Sequence, residues 1–324
     1  MPDKSTQIKE LLKNPLHLFG LGLACPYMRV GFFGQSGPYA PIVLRHLLEL
    51  ENPNFEFVYV VEGQRRVRGI RKHRWYKGKA RAMHTGDDLC PLATSGGVDS
   101  MISEDVNAPE AIKELQEREI DLLLCVGFDR LFKPEILNLP TKLAINCHPS
   151  ALPRFRGPTP IFWILKAGQT EMAVTVHGMD EKEDHGPIYM QQSFAIPSRA
   201  TGDTIYRLAA SHAAGLCEKV LKQAAVGSLE GTAQNDAEAT RAPRPKPEDS
   251  LIDPSDWQCE ALVNFCCAAP YFRIPWFKMG EEPYFIMCAI KAIPGDTLPG
   301  DSLVQGKSLF VQCQDGVCEL EIQT

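Results

Sequence analysis

No apolar run in this 324-residue chain approaches the roughly 20 residues that a membrane-spanning helix needs, so no membrane partner is expected. A Cys-x-x-Cys pair is also missing, although there are eleven cysteines. Cys313 and Cys318 are five apart and Cys266 and Cys267 are adjacent, with no second pair to complete a tetrahedral site, so no metal is expected. No secretory leader is convincing: residues 16–27 are mildly apolar, but no small-residue cleavage site follows, and Asp3 and Glu10 disfavour a transit peptide. The thiols are therefore expected to be reduced and structural, in a cytoplasmic protein. Excess positive charge is lacking as well. A formal net charge of −6 argues against a surface that coats nucleic acid throughout.

What is present suits a globular protein: 44% hydrophobic and 23% charged residues, in a length that fits two domains. Residues 29–33 read as a buried strand that makes a fresh start at Met28. Residues 1–27 are thus expected as an N-terminal extension, with Met28 as an alternative start. Gly34-Gln35-Ser36-Gly37-Pro38 breaks the strand, and residues 42–50 have helical spacing. Further strands are expected at 55–61, 120–126 and 143–147, with a helix at 109–119 that holds Pro109 in its first turn. This alternation predicts an α/β domain, a Rossmann-like doubly wound parallel sheet, over residues 28–230. Strands at 170–180 and 188–196 and a long helix at 203–225, capped by Thr204 and ended by Gly227, complete it. Residues 231–250 hold prolines, small polar residues and charges without an apolar period, and are expected as a linker. Short strands at 285–292, 308–313 and 317–322, separated by Gly and Pro, predict a small OB-like β-barrel over residues 251–324.

Three strings invite other readings. Ser95-Gly96-Gly97-Val98-Asp99-Ser100 matches the phosphate loop of ATP pyrophosphatases, but no apolar strand precedes it. Gly31, Gly34 and Gly37 with Glu62 suggest a dinucleotide fold; the spacing is not G-x-G-x-x-G and Pro38 blunts the helix start, so the frame is read without NAD. His148, Asp184 and His185 are three mixed ligands without a fourth, which is weak support for a metal.

The chemistry concentrates in Ile145-Asn146-Cys147-His148-Pro149-Ser150-Ala151-Leu152-Pro153-Arg154-Phe155-Arg156-Gly157, and further on in Asp184-His185-Gly186. Asn146 and His148 are two apart on an extended strand end, so their side chains can share a face, at the edge where open α/β sheets form clefts. An amine attacking a formyl carbon must lose a proton, and an imidazole, which titrates near neutrality, can take it. The attack leaves charge on the former carbonyl oxygen, which the Asn146 amide can meet; such a donor is typically worth about 10²–10³ in rate. Asp184 can orient His148 or favour its charged form. An isolated Asn-x-His is more often a turn or a satisfied core pair, and only the full string changes those odds.

That string, Asn146-x-His148-x-Ser150-x-Leu152-Pro153-x-x-Arg156-Gly157 with an Asp before a Gly, resembles the formyltransferases that use 10-formyltetrahydrofolate. The family includes methionyl-tRNA formyltransferases and sugar N-formyltransferases. The resemblance runs from Met28 to about Ile322, is weakest over residues 64–106, and takes in the family's small C-terminal β-barrel. It implies catalytic roles for Asn146, His148 and Asp184. It also implies a folate pocket at the segment before the motif, with Phe128, Arg130 and Leu131, and around the motif itself, with Ile145, Ser150, Leu152 and Pro153. Ala151 departs from the larger apolar residue usual there, and the stretch after Glu62 looks like an insertion.

The acceptor amine is less determined. A basic stretch over residues 65–81, with Arg65, Arg66 and Arg68 at its start and no acid between Glu62 and Asp87, favours a phosphate contact and the tRNA acceptor; Arg156 is a further candidate contact. From Leu251 to Thr324, however, four basic residues face ten acidic ones, a formal charge of −6, and such a surface repels a phosphate backbone. The small amine, such as a nucleotide-linked amino sugar, is therefore the preferred acceptor. A folate-binding protein, or a hydrolase with water as acceptor, is the remaining alternative. The sequence gives no oligomeric state.

Overall fold

The computed structural model describes residues 27–51, 54–63 and 88–323. The extension before Tyr27 and the basic stretch over residues 65–81, with Arg65, Arg66 and Arg68, lie outside the described residues.

The first unit is a seven-stranded sheet. In chain order its elements are β1 (Met28–Gly34), α1 (Ala40–Leu48), β2 (Phe55–Gly63), α2 (Leu89–Ser95), β3 (Ser100–Ser103), α3 (Pro109–Gln116), β4 (Leu122–Val126), α4 (Pro134–Leu137), β5 (Leu143–His148), α5 (Pro160–Lys166), β6 (Glu171–Gly178), β7 (Ile188–Ala195) and α6 (Gly202–Ala225). The strand order is β3-β2-β1-β4-β5-β6-β7. β1 to β5 pair in parallel, whereas β6 and β7 are antiparallel, so the Rossmann-like sheet ends in an antiparallel edge. β4 is buried at every position, as a strand covered on both faces must be. Strand order reverses between β1 and β4, and in open α/β sheets that switch point is where ligand crevices form.

Two local details differ from the sequence reading. α6 is capped by Thr201, whose side chain accepts from the Thr204 N–H at 3.2 Å, rather than by Thr204 itself; the helix starts one residue earlier than expected. The Ser95–Ser100 string closes α2, turns at Gly97 with φ +73° and enters β3. It therefore runs from helix to strand, the reverse of a phosphate loop.

The C-terminal unit holds α7 (Cys259–Ala268), β8 (Trp276–Met279), β9 (Glu282–Pro294), β10 (Ser302–Gln305), β11 (Ser308–Cys313) and β12 (Gly316–Ile322). Its five strands form an antiparallel sheet in the order β10-β11-β12-β9-β8. The longer strands were expected; α7, β8 and β10 were not. β8 and β10 have only four residues each, too few to show alternation. α7 buries most of its circumference, including Cys259, Leu262, Val263, Phe265 and Cys266, so it lacks the polar face that marks an amphipathic helix. Phe162 of α5 packs edge-on against Phe265, centroids 5.5 Å apart, and joins the two units.

Candidate active site

A cleft of about 580 Å³ opens at the carboxyl ends of β1, β4 and β5. Gln35, Ser36 and Gly37 after β1 form one wall, and residues 127–132 after β4 form another. Phe33, Phe128 and Phe132 interlock edge to face, with centroids 5.1 to 6.2 Å apart, and so hold the second wall. Glu62 is tied down rather than presented to a ligand: it pairs with the Ser36 hydroxyl and accepts from the Cys90 N–H at 3.1 Å. Gln35 Nε2 is buried with no hydrogen-bond partner among the described residues. An orphaned donor at a cleft wall is the kind of group that a polar ligand satisfies.

The floor is built by the β5–β6 register, which sets His177 opposite Asn146 and Thr175 opposite His148. Asn146 Nδ2 donates to Asp184 Oδ1 at 3.2 Å and lies 3.2 Å from His177 Nε2. His177 Nδ1 donates to the Gly178 carbonyl at 2.7 Å, so its Nε2 can accept from Asn146. His148 Nε2 donates to the Phe155 carbonyl at 3.0 Å, while Nδ1 faces Asp184 Oδ2 at 3.6 Å. The same Oδ2 accepts from the Gly157 N–H at 2.8 Å. Burial by itself raises the Asp184 carboxyl, but the charge on His148, the His177 ring and the Gly157 N–H outweigh it and hold the group well below the usual carboxylate range. The site is thus a largely enclosed carboxylate, its side chain 11% exposed, shared by two imidazoles and an amide. His177 escaped the sequence reading; its only signal was its place on a strand antiparallel to the motif strand.

Backbone geometry fixes the groups. Asp184 is held at φ +52° and Phe155 at φ +61°, conformations that cost a non-glycine residue energy and tend to collect at functional sites. Gly186 lies so close to β6 that a Cβ would stand 2.1 Å from the Gly178 carbonyl oxygen, which explains the glycine after Asp184. Gly157 sits at φ +130°, and its Cβ would stand 2.7 Å from the Ala242 carbonyl oxygen.

That carbonyl belongs to residues 231–250, the expected linker. This segment lies along the site. Arg156 N–H donates to the Thr240 carbonyl at 2.9 Å and Ala242 N–H to the Arg156 carbonyl at 2.7 Å. Gln234 Nε2 donates to the carbonyls of Asp184 and Gly186 at 2.9 and 2.7 Å. Trp163 and Trp276 indoles donate to the Pro243 and Pro247 carbonyls at 2.7 and 2.9 Å. The segment lacks an apolar period because hydrogen bonds hold it in place of a buried face. Its Arg244, a residue that the sequence reading passed over, lines the cleft.

The expected site residues divide accordingly. Asn146, His148 and Asp184 come together at the cleft floor, and Phe128, Arg130 and Leu131 line its wall. Ile145, Ser150, Leu152 and Pro153 do not line it. Ile145 is fully buried in the core. Ser150 Oγ donates to the Arg154 carbonyl at 2.8 Å, and its own carbonyl accepts from Thr175 Oγ1 at 2.6 Å. Leu152 is also buried; its N–H donates to Thr175 Oγ1 and its carbonyl accepts from Gln191. These residues brace the loop. Arg156 is 7% exposed and also stays off the cleft, its guanidinium engaged by Gln234 Oε1 and by Asp236 at 2.9 Å. Two of the histidines, His148 and His177, meet Asp184; His185 instead pairs with Asp180 at 2.7 Å.

A family model described as formyl transferase matches residues 29–220. A methionyl-tRNA formyltransferase of Geobacter metallireducens is 32% identical over 244 residues, 71% of this chain and 74% of that protein. Among solved structures, an N-formyltransferase from Helicobacter canadensis, in complex with folinic acid and dTDP-3-aminofucose, superposes with a TM-score of 0.61 at 16% identity, covering 92% of this chain and 100% of the other. A methionyl-tRNA formyltransferase from Clostridium thermocellum superposes with a TM-score of 0.53 at 14% identity, covering 91% and 99%.

Proposed function

The chain belongs to the formyl transferase family, and we propose that it moves a formyl group from 10-formyltetrahydrofolate to a primary amine on a small metabolite, such as a nucleotide-linked amino sugar. Residues 28–230 carry the reaction in this reading, and residues 251–324 form an accessory domain joined through residues 231–250.

The observation that carries the reading is the Asp184 carboxylate held between His148 and the Gly157 N–H at the floor of the cleft. Because Nε2 of His148 donates to the Phe155 carbonyl, Nδ1 is the nitrogen free to take a proton. As the amine nitrogen bonds to the formyl carbon, its proton passes to Nδ1, and the imidazolium so formed is paired by Asp184. Charge on the formyl oxygen is met by Asn146, whose Nδ2 turns from His177 to the oxyanion. The bond between that carbon and the folate nitrogen then breaks, and the proton from His148 follows the leaving nitrogen. In this reading Arg130 and the exposed Leu131 on the cleft wall hold the folate, with Gln35 Nε2, which has no partner among the described residues.

The small acceptor is supported by the acidic C-terminal unit, four basic residues against ten acidic ones, which disfavours a nucleic-acid backbone. The tRNA acceptor is supported by the 32% identity to a methionyl-tRNA formyltransferase and by the basic residues 65–81. The test offers 10-formyltetrahydrofolate with two pools, amino-sugar nucleotides and charged initiator tRNA, and reads the formylated product by mass. Product in the sugar pool alone is expected. Product on tRNA alone reverses the acceptor, and loss of formyl to water in both pools replaces transfer by hydrolysis.

A further inference from the structure

Three sulfur atoms outside the cleft converge. The Sγ atoms of Cys259, Cys313 and Cys318 all lie within 4.8 Å of one another, with 3.6 Å between Cys313 and Cys318. They come from separate elements: Cys259 opens α7, Cys313 ends β11, and Cys318 lies in β12. Each is buried, at 0, 4 and 0% exposure.

The elements are fastened where the cysteines meet. Cys259 N–H donates to Asp315 Oδ1 at 2.7 Å. Gln314 N–H donates to the Trp257 carbonyl at 3.0 Å, and its side chain to the Ser255 carbonyl at 3.0 Å. The β11–β12 turn is thereby pinned over the first turn of α7, and these backbone and side-chain bonds gather the three sulfurs. An ion with metal–sulfur bonds of about 2.3 Å in tetrahedral geometry needs its sulfurs about 3.8 Å apart, close to the 3.6 Å between Cys313 and Cys318 and inside the 4.8 Å that bounds all three. A disulfide would join two of the sulfurs and leave the third unexplained.

We propose that Cys259, Cys313 and Cys318 form a thiolate site for a zinc-class divalent ion that clamps α7 to the β11–β12 hairpin. Loading forms three metal–sulfur bonds and releases three thiol protons to solvent, with no change of oxidation state. None of the three cysteines lines the cleft, so the ion's role is structural.

The test uses the full chain, kept reduced and stripped of metal, then titrated with Cd²⁺ while thiolate-to-metal absorbance is read. Saturation at one equivalent is expected, with the band lost in Cys313→Ser. No stoichiometric band, or a band unchanged in that variant, overturns the site. Should the variant fail to fold, zinc-edge X-ray absorption on the wild-type chain loaded with one equivalent of Zn²⁺ decides. Three sulfur neighbours at about 2.3 Å are expected; a shell of nitrogen and oxygen alone, or no bound zinc, overturns it.

Discussion

The Arg156 guanidinium donates twice to Gln234 Oε1, from Nε at 3.0 Å and from Nη2 at 2.8 Å. The Gln234 amide nitrogen in turn donates to the Asp184 and Gly186 carbonyls. One side chain from the 231–250 segment thus ties the motif loop to the aspartate loop. Without it, two carbonyls and part of a buried guanidinium lose their partners.

An unpartnered buried group costs about 1–3 kcal/mol. Gln234→Ala is therefore expected to lower unfolding stability by about that amount and to reduce kcat/KM by loosening Asp184. Urea denaturation and steady-state kinetics check this. Wild-type values in both would make the segment a bystander.

Two glycines make an opposed pair. Gly157 has φ +130° and no room for a Cβ, whereas Gly215, inside α6, has nothing within 4 Å of its Cβ position. Gly157→Ala is expected to destabilise by about 1–3 kcal/mol or more and to push residues 240–242 off the motif loop. Gly215→Ala is expected to stabilise by roughly 0.5–1 kcal/mol, the usual helix-interior difference. Thermal melts of both variants read the two signs, and matching signs would contradict the packing described.

The depressed Asp184 carboxyl fixes a pH dependence. The folded state binds that proton less readily than the unfolded chain, whose carboxyl titrates near about 3.9. The stabilisation is therefore fully present above that value and is lost as pH falls through the folded one. The stability gap between wild type and Asp184→Asn is expected to stay level from about pH 7 to pH 5 and to shrink only below about pH 4. Denaturation midpoints across that range measure it. A gap that closes between pH 7 and pH 5 would assign the dependence to the histidines instead.

Much of the fold could be read from the sequence because its strands are long or wholly apolar. The fully buried β4 and the long α6 left clear apolar patterns, although the α6 cap is Thr201 and not the Thr204 that the sequence suggests. Asn146, His148 and Asp184 were legible because one string holds two of them and a glycine that tolerates no Cβ marks the third. His177 was not, since its contacts with Asn146 and Asp184 depend on the β5–β6 register, which no local pattern encodes. Gln234 and Arg244 were hidden in a segment that hydrogen bonds, not apolar burial, hold in place. Cys259 joins Cys313 and Cys318 only through the packing of α7 on the hairpin, so a spacing rule could not find it.

In the proposed reaction His148 moves the proton and does not hold the donor. The most direct measurement compares wild type with His148→Ala for 10-formyltetrahydrofolate binding by calorimetry and for formyl transfer at saturating acceptor. Nearly unchanged binding is expected, with a kcat lower by about 10²–10⁴, the range of general acid–base catalysis. A variant that turns over at near the wild-type rate would contradict it.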